Sequence, residues 1–166
     1  MEIRKTTMDD LDMALSLYAK ARQFMEEHGN PSQWNNSYPP KELVQEDIRR
    51  GCSYLCVEGG QTLAIFYFAN EEEPDYAKIY EGAWLNDKPY GVMHQVASPG
   101  IQKGAATFCI NWCVKKSGGN LRIDTHKDNL PMQNLLKKNG FQPCGTIYLK
   151  NKSPRLAFQY TQTAES

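Results

Sequence analysis

No apolar run approaches the ~18 residues that a membrane-spanning helix requires, and the first residues, MEIRKTTMDD, lack the basic, apolar and small-residue segments of a secretory leader. A cytoplasmic protein with no membrane partner is expected. Nor does one sign of charge dominate: nineteen Lys and Arg balance nineteen Asp and Glu, for a formal net charge of zero, with neither sign gathered into a long block. That excludes nucleic acid as the main partner, because phosphate binding draws chiefly on Lys and Arg. Cysteine is sparse and odd in number, with five residues, Cys52, Cys56, Cys109, Cys113 and Cys144, set mostly in apolar patterns. They read as buried thiols of a reducing compartment and not as a disulfide framework. Cys52/Cys56 and Cys109/Cys113 are spaced i, i+4 where common zinc sites have C-x-x-C, so no metal is expected. There is no G-x-S-x-G elbow and no Walker A lysine after Gly104, which removes the commonest serine hydrolase and nucleotide-phosphate signatures. Repeats, low-complexity segments and shifts of composition are also missing. A chain of 166 residues, 40% hydrophobic, can bury one core. The expectation is a single domain over residues 1–160 followed by a frayed tail, 161–166.

What the chain does have is concentrated at residues 96–116, V-A-S-P-G-I-Q-K-G-A-A-T-F-C-I-N-W-C-V-K-K. An apolar strand end there enters a turn holding Pro99, Gly100 and Gly104, and the turn opens into a helix. Such a turn aims several backbone N–H groups, together with the positive end of the helix dipole, at one spot that suits an anion. Gly104, Ala105 and Ala106 are small enough for a diphosphate to approach the backbone, or for the helix to pack closely on a sheet. Lys103 either meets a phosphate or is a solvated surface lysine.

The remaining elements follow from periodicity. Residues 1–6 read as a short strand, and Thr7 with Asp10 resembles a capping box. The helix after it carries Leu11, Leu15, Tyr18, Arg22 and Met25 on one side, with Ala14, Leu17, Ala21 and Phe24 beside them, and stops at His28-Gly29-Asn30-Pro31. The polar loop 31–40 nevertheless holds Trp34 and Tyr38, which either plug the core edge or line a pocket. A second helix over 41–50 has an imperfect stripe of Leu43, Val44, Asp47 and Ile48. Strands at 53–58 and 61–69 are joined by Gly59-Gly60 in a tight hairpin. Residues 70–75 read as a solvated acidic loop, and 78–84 as either strand or short helix. A strand at 90–97 feeds the turn; then come a strand at 120–125, a helix opened by Asp128, Asn129 and Pro131 with Met132, Leu135 and Leu136 inward, and a final strand pair at 141–149 and 155–160. The order is β-α-α-β-β-β-α-β-α-β-β, an α/β chain. The last strand offers an open edge at which a second copy could pair, giving a homodimer.

Residues 96–116, followed by L-R-I-D-T-H-K-D-N-L-P-M-Q-N-L-L-K-K-N-G-F at 121–141, resemble the two cofactor-binding segments of the GNAT superfamily of N-acetyltransferases. The resemblance extends over essentially the whole chain, and block 129–141 is its more specific part. It implies the acyl-CoA N-acyltransferase fold, a mixed central sheet of six to seven strands flanked by about four helices. Acetyl-CoA would then lie between the parallel strands 90–97 and 120–125, with its pyrophosphate on the amides that open the following helix. The residues implied in cofactor binding are Val96, Ala97, Gln102, Lys103, Gly104, Ala105, Ala106 and Asn129. Asn129 either caps its helix or bonds the pantetheine arm. Two positions depart from the family pattern. Ile101 stands where Arg or Gln is usual, with Gln102 one place later, and Leu136 stands where many members carry the tyrosine that reprotonates the departing thiolate. Tyr148 is the nearest phenol along the chain after it.

Transfer to an amine needs a base that titrates near the working pH and a donor for the developing oxyanion. His94 is the first candidate base, or else a packed strand residue; Asp124 and His126 follow, His126 more in the role of ordering the turn before Asn129. Trp34, Tyr38 and Asp124 are the candidate acceptor-side contacts. The expected activity is direct transfer of acetyl from acetyl-CoA to a primary amine, a small metabolite in preference to a protein terminus, since an aromatic-bearing loop would narrow the acceptor side. A non-catalytic acyl-CoA-binding or regulatory module with the same fold is the second reading, motivated by Ile101 and Leu136. A protein-interaction domain without ligand is the third, against which the small-residue turn argues.

Overall fold

The structure is a computed structural model and describes residues 1–34, 37–98 and 104–162. Its elements are β1 (Glu2–Lys5), α1 (Leu11–Glu27), α2 (Lys41–Arg49), β2 (Ser53–Glu58), β3 (Gln61–Asn70), β4 (Gly91–Ala97), α3 (Ala105–Lys116), β5 (Asn120–Thr125), α4 (Leu130–Lys138), β6 (Gln142–Tyr148) and β7 (Pro154–Thr161). This is the order expected from periodicity, with 3-10 turns added at Met8–Asp10 and Pro74–Tyr76. The strands form one seven-stranded sheet, β1-β2-β3-β4-β5-β7-β6. It is mixed: β4 and β5 run parallel, while β1–β2, β2–β3, β5–β7 and β6–β7 are antiparallel. The chain forms two compact units, Met1–Phe68 with His94–Trp112, and Ala69–Met93 with Cys113 onward.

In the first unit, strand alternation sorts side chains onto two faces. Leu55 and Ile65, paired across β2 and β3, join Ala14, Leu17, Tyr18 and Ala21 of α1, Val44 and Ile48 of α2, Trp34 and Ala97 in one buried cluster. Tyr54 and Phe66, also paired, face the other way and meet Trp112 of α3 at 4.8 and 5.8 Å between ring centroids. The stripe that α1 buries is therefore Ala14, Leu17, Tyr18 and Ala21, at i, i+3, i+4 and i+7, whereas Phe24 is 42% exposed and stacks on His28 instead. Asp10 accepts from the Thr7 N–H at 2.8 Å and takes a two-pronged bond from Arg4 at 2.9 and 3.1 Å, which brings its carboxyl down to about 2. The capping pair thus closes the 3-10 turn that precedes α1. Gly59 and Gly60 both take positive φ, 57° and 77°, as a two-residue type I′ hairpin turn demands.

The second unit departs further from expectation. The acidic segment 70–75 is not simply a solvated loop: Pro74–Tyr76 winds into a 3-10 turn, with Glu73 accepting from the Asp75 N–H, and Tyr76 is buried. Segment 78–84 is neither strand nor helix as a whole. Tyr80 makes an isolated antiparallel bridge to Thr146, with both N–H···O bonds at 2.8 Å, and the Ala83 N–H donates to the Cys144 carbonyl at 2.9 Å. The last strand also differs in place. β7 lies between β5 and β6, fully laddered on both sides, so it presents no open edge for a second copy. β6 ends the sheet order, and the bridge at Tyr80 and the bond from Ala83 occupy part of its outer edge. Order along the chain does not reveal this, because β7 inserts beside β5 and leaves the earlier β6 outside.

That covering segment approaches β6 so closely that glycine is needed on both sides. A Cβ at Gly82 would lie 1.9 Å from the Cys144 carbonyl oxygen, and one at Gly145 would lie 2.5 Å from the Tyr80 carbonyl oxygen. Gly82→Ala should therefore cost about 1–3 kcal/mol, the usual range for overpacking, by pushing 80–83 off β6. Urea denaturation checks it, with Gly59→Asn, which a type I′ turn tolerates, as the comparison expected to remain near wild type.

Candidate active site

A non-glycine residue with positive φ inside a strand is uncommon, and β4 has one, Gln95, at φ 54°. Its effect is visible in its neighbours. In a regular strand His94 and Gln95 would point to opposite faces. Here the His94 ring lies 5.5 Å from that of Tyr67, over which the Arg50 guanidinium is also placed, 5.9 Å from the ring centroid. Gln95 reaches α2, donating from Nε2 to Asp47 Oδ2 at 3.0 Å. Both side chains thus serve the α2 side of the unit.

Asp47 is 3% exposed. Burial pushes its carboxyl up from the ordinary aspartate value, and Glu46 adds to this; the Gln95 bond and the positive charges of Arg50 and His94 oppose it. Gln95 is bonded on its other side too. Its Oε1 accepts from the Tyr38 hydroxyl at 3.3 Å, and the Tyr18 hydroxyl is also within bonding reach. The Tyr18 phenol is wholly buried, and loss of its proton is disfavoured for that reason. In loop 31–40, Trp34 takes the core-edge role, 6% exposed and edge-on to Tyr18 at 5.8 Å, while Tyr38 is 37% exposed, its carbonyl held by Arg22 at 3.0 Å.

In the same unit, β4 leads toward the start of α3. Val96 is half-buried and Ala97 fully buried; Gly104 is exposed at φ 91°, Ala105 is buried and Ala106 half-buried. Among the described residues nothing lies within 4 Å of where a Gly104 side chain would begin, and the first turn of α3 holds no acidic residue. The first N–H groups of any helix lack partners within it, and an anion suits them. Gln102 and Lys103, expected to contribute, lie outside the described residues, as does Ile101.

The second unit holds the remaining candidates. Asp124 of β5 accepts from the buried Tyr76 hydroxyl at 2.7 Å. Asn129 caps α4, its Oδ1 accepting from the Met132 N–H at 3.2 Å. His126 orders the turn before it: Nδ1 accepts from the Asp128 N–H at 3.0 Å, and burial, with Arg155 nearby, disfavours its charged form. Tyr148, at the end of β6, is 44% exposed and packs edge-on against Tyr80 at 5.3 Å. Leu136 is completely buried and serves the core. All five cysteines are free and buried. Among the described residues no group of three or more His, Cys, Asp or Glu is placed to hold a metal ion, and no helix is long and apolar enough to cross a membrane.

Sequence reasoning found His94 and Tyr38 but not Asp47, Gln95, Tyr18 or Tyr67 as their partners. One signal was present: Asp47 interrupts the apolar stripe of α2 between the buried Val44 and Ile48. A carboxylate at such a position is either paired or functional.

Solved structures similar to this chain include acetyltransferases. A GNAT-family acetyltransferase from Streptococcus agalactiae 2603 is 28% identical, with 97% of this chain and 95% of that chain covered and a TM-score of 0.89. A GNAT-family acetyltransferase from Listeria monocytogenes 4b F2365 shares the fold at 16% identity, coverage of 95% and 92%, and a TM-score of 0.68. A ribosomal-protein-alanine N-acetyltransferase from Brucella melitensis does so at 16% identity, coverage of 98% and 100%, and a TM-score of 0.63. No protein-family model matches the sequence, and no curated protein matches it.

The raised Asp47 carboxyl fixes a direction for stability. Its native form binds a proton more tightly than the unfolded chain does, so its contribution is complete below the unfolded value of 3.8 and is lost as pH rises through the folded value. Asp47→Asn cannot ionise and can still accept from Gln95. Chemical denaturation at pH 4 to 8 should therefore show the variant gaining on wild type as pH rises; a difference independent of pH would mean that the carboxyl is not raised.

Proposed function

We propose that the chain, which shares its fold with GNAT-family acetyltransferases, moves acetyl from acetyl-CoA to the primary amine of a small metabolite, directly, within a ternary complex. The observation that carries this reading is the grouping, in one unit, of His94 beside the buried Asp47 at the left-handed position of β4, on the strand that leads toward the start of α3. Acetyl-CoA supplies the activated acyl group as a thioester and is a co-substrate, with no metal taking part.

Each role falls to a named group. Backbone N–H groups of Gly104, Ala105 and Ala106 receive the diphosphate, assisted by the helix dipole, with Gln102 and Lys103 as the adjoining side chains. Val96 and Ala97 supply the strand backbone beside which the acyl arm lies, and Asn129 contributes to the arm in addition to capping α4. His94 takes the proton from the attacking amine, directly or through water. Trp34 and Tyr38 shape the acceptor side, and Asp124 offers a carboxylate to a cationic acceptor. Tyr148 is the proton donor proposed for the departing thiolate. With Leu136 buried in the core, that assistance is modest, and a free thiol of pKa about 8.5 leaves acceptably near neutral pH without it. Loss of that family phenol is also what favours the second reading, a non-catalytic acyl-CoA-binding module.

Two measurements separate these readings. Acetyl-CoA at a hundredfold excess over its Kd should stabilise the fold by about 2.7 kcal/mol, a rise of roughly 5–11 °C in Tm for a chain of this size; no rise at millimolar acetyl-CoA would sink both. An amine panel read by release of CoA thiol then distinguishes the enzyme from the module. Given a substrate, His94→Gln should lower kcat/KM about 10²-fold or more, the usual worth of a general base, with the loss greatest near neutral pH. An unchanged pH–rate profile would remove His94 from the mechanism.

A further inference from the structure

We propose that Asp47, Gln95 and Tyr38 form a clamp that holds β4 in its left-handed break, and that Asp47 is a positioning residue for the site, acting through Gln95. This rests on the function proposed above and gives Asp47 no contact with the reacting atoms. The geometry is specific. Gln95 is the residue with φ 54°, and its side-chain amide is gripped at both ends, by Asp47 of α2 through Nε2 at 3.0 Å and by the Tyr38 hydroxyl through Oε1 at 3.3 Å.

A left-handed glutamine in a strand persists only where its surroundings hold it. Glutamine is not the residue that favours this backbone; glycine and asparagine are. Its retention is explained by its length, which carries the amide from β4 to α2 and to the loop after α1 at once. Asp47, nearly buried and hydrogen-bonded to an uncharged amide, provides a charge-assisted acceptor that a surface residue could not match. What the clamp fixes is the placement of His94, one residue before the break, and of the Val96 and Ala97 backbone, one and two residues after it. Releasing it should disturb turnover more than cofactor binding at α3, which begins eight residues beyond Ala97.

Charged and titratable groups facing Asp47 are Arg50 and Glu46 on α2, His94 on β4, and Tyr18 and Tyr38 from α1 and the loop after it.

The test is a double-mutant cycle on Asp47→Ala and Gln95→Ala, read first as Tm without any substrate and then as kcat and KM with the best amine found. The clamp predicts that the double variant melts no lower than the weaker single variant, and that each single variant loses at least tenfold in kcat with acetyl-CoA KM within threefold. Asp47→Asn, which keeps an acceptor for Gln95, should restore kcat to within about fivefold of wild type. Additive Tm losses would overturn the clamp whatever the enzyme acetylates. An Asp47→Asn variant as slow as Asp47→Ala would show the charge itself at work and overturn the positioning role. Should Asp47→Ala not fold, the cycle is run with Tyr38→Phe in its place, with the same non-additivity expected. If no amine is acetylated by wild type, the proposed function fails, and the substrate-free cycle still decides the clamp.

Discussion

One backbone conformation organises the candidate site: the positive φ of Gln95 in the middle of β4. A strand that kept its alternation would send His94 and Gln95 to opposite faces of the sheet. The break brings both to the side where α1 and α2 pack, and there they meet Tyr67, Asp47 and Tyr38. Such a conformation costs about 1–3 kcal/mol, and a hydrogen bond to a charged group contributes about 1.5–3 kcal/mol. The Gln95–Asp47 bond alone is of the size needed to offset it, so strain and buried charge are best understood as parts of one arrangement.

That arrangement in turn needs a rigid frame. α1 and α2 are held by the cluster that includes Tyr18, Trp34, Val44, Ile48, Leu55 and Ile65, and the same cluster keeps Asp47 from water. On the other face Tyr54, Phe66 and Phe68 pack against Trp112 of α3, which fixes the helix whose first turn suits an anion. The two faces of β2 and β3 therefore have separate tasks, set by sequence parity: Leu55 and Ile65 pack against α1 and α2, and Tyr54, Phe66 and Phe68 against Trp112 of α3.

The sequence was most legible where a single local rule decides the outcome. Element order followed from periodicity, the Gly59-Gly60 turn from its need for two positive φ angles, and the Asn129 cap from its place before Leu130 and Pro131. Legibility failed where the deciding partner is distant along the chain. Segment 70–75 looked solvated, yet it leads into a 3-10 turn whose last residue, Tyr76, is buried and donates its hydroxyl to Asp124, 48 positions away. The last strand looked free, yet it is laddered on both sides, and the outer edge of β6 is met by a segment some sixty positions earlier. Asp47 appeared as a flaw in a nine-residue amphipathic helix, because nothing within α2 announces Gln95. The turn at 99–103, which first suggested an anion, lies outside the described residues, so its backbone role stands as proposal.

A buried carboxylate next to a histidine invites reading as a catalytic dyad, and the physical chemistry points elsewhere. A carboxylate that supports an imidazolium does so best when ionised, whereas burial pushes Asp47 toward its neutral form, and only the Gln95 bond and the charges of Arg50 and His94 pull it back. These terms make the ionisation of Asp47 depend on the same bond that holds the break. Displacing Gln95 would remove a stabilising contact from the carboxylate, favour its protonation and weaken its pull on His94, all together. Geometry at β4 and charge at Asp47 are thus coupled through one hydrogen bond.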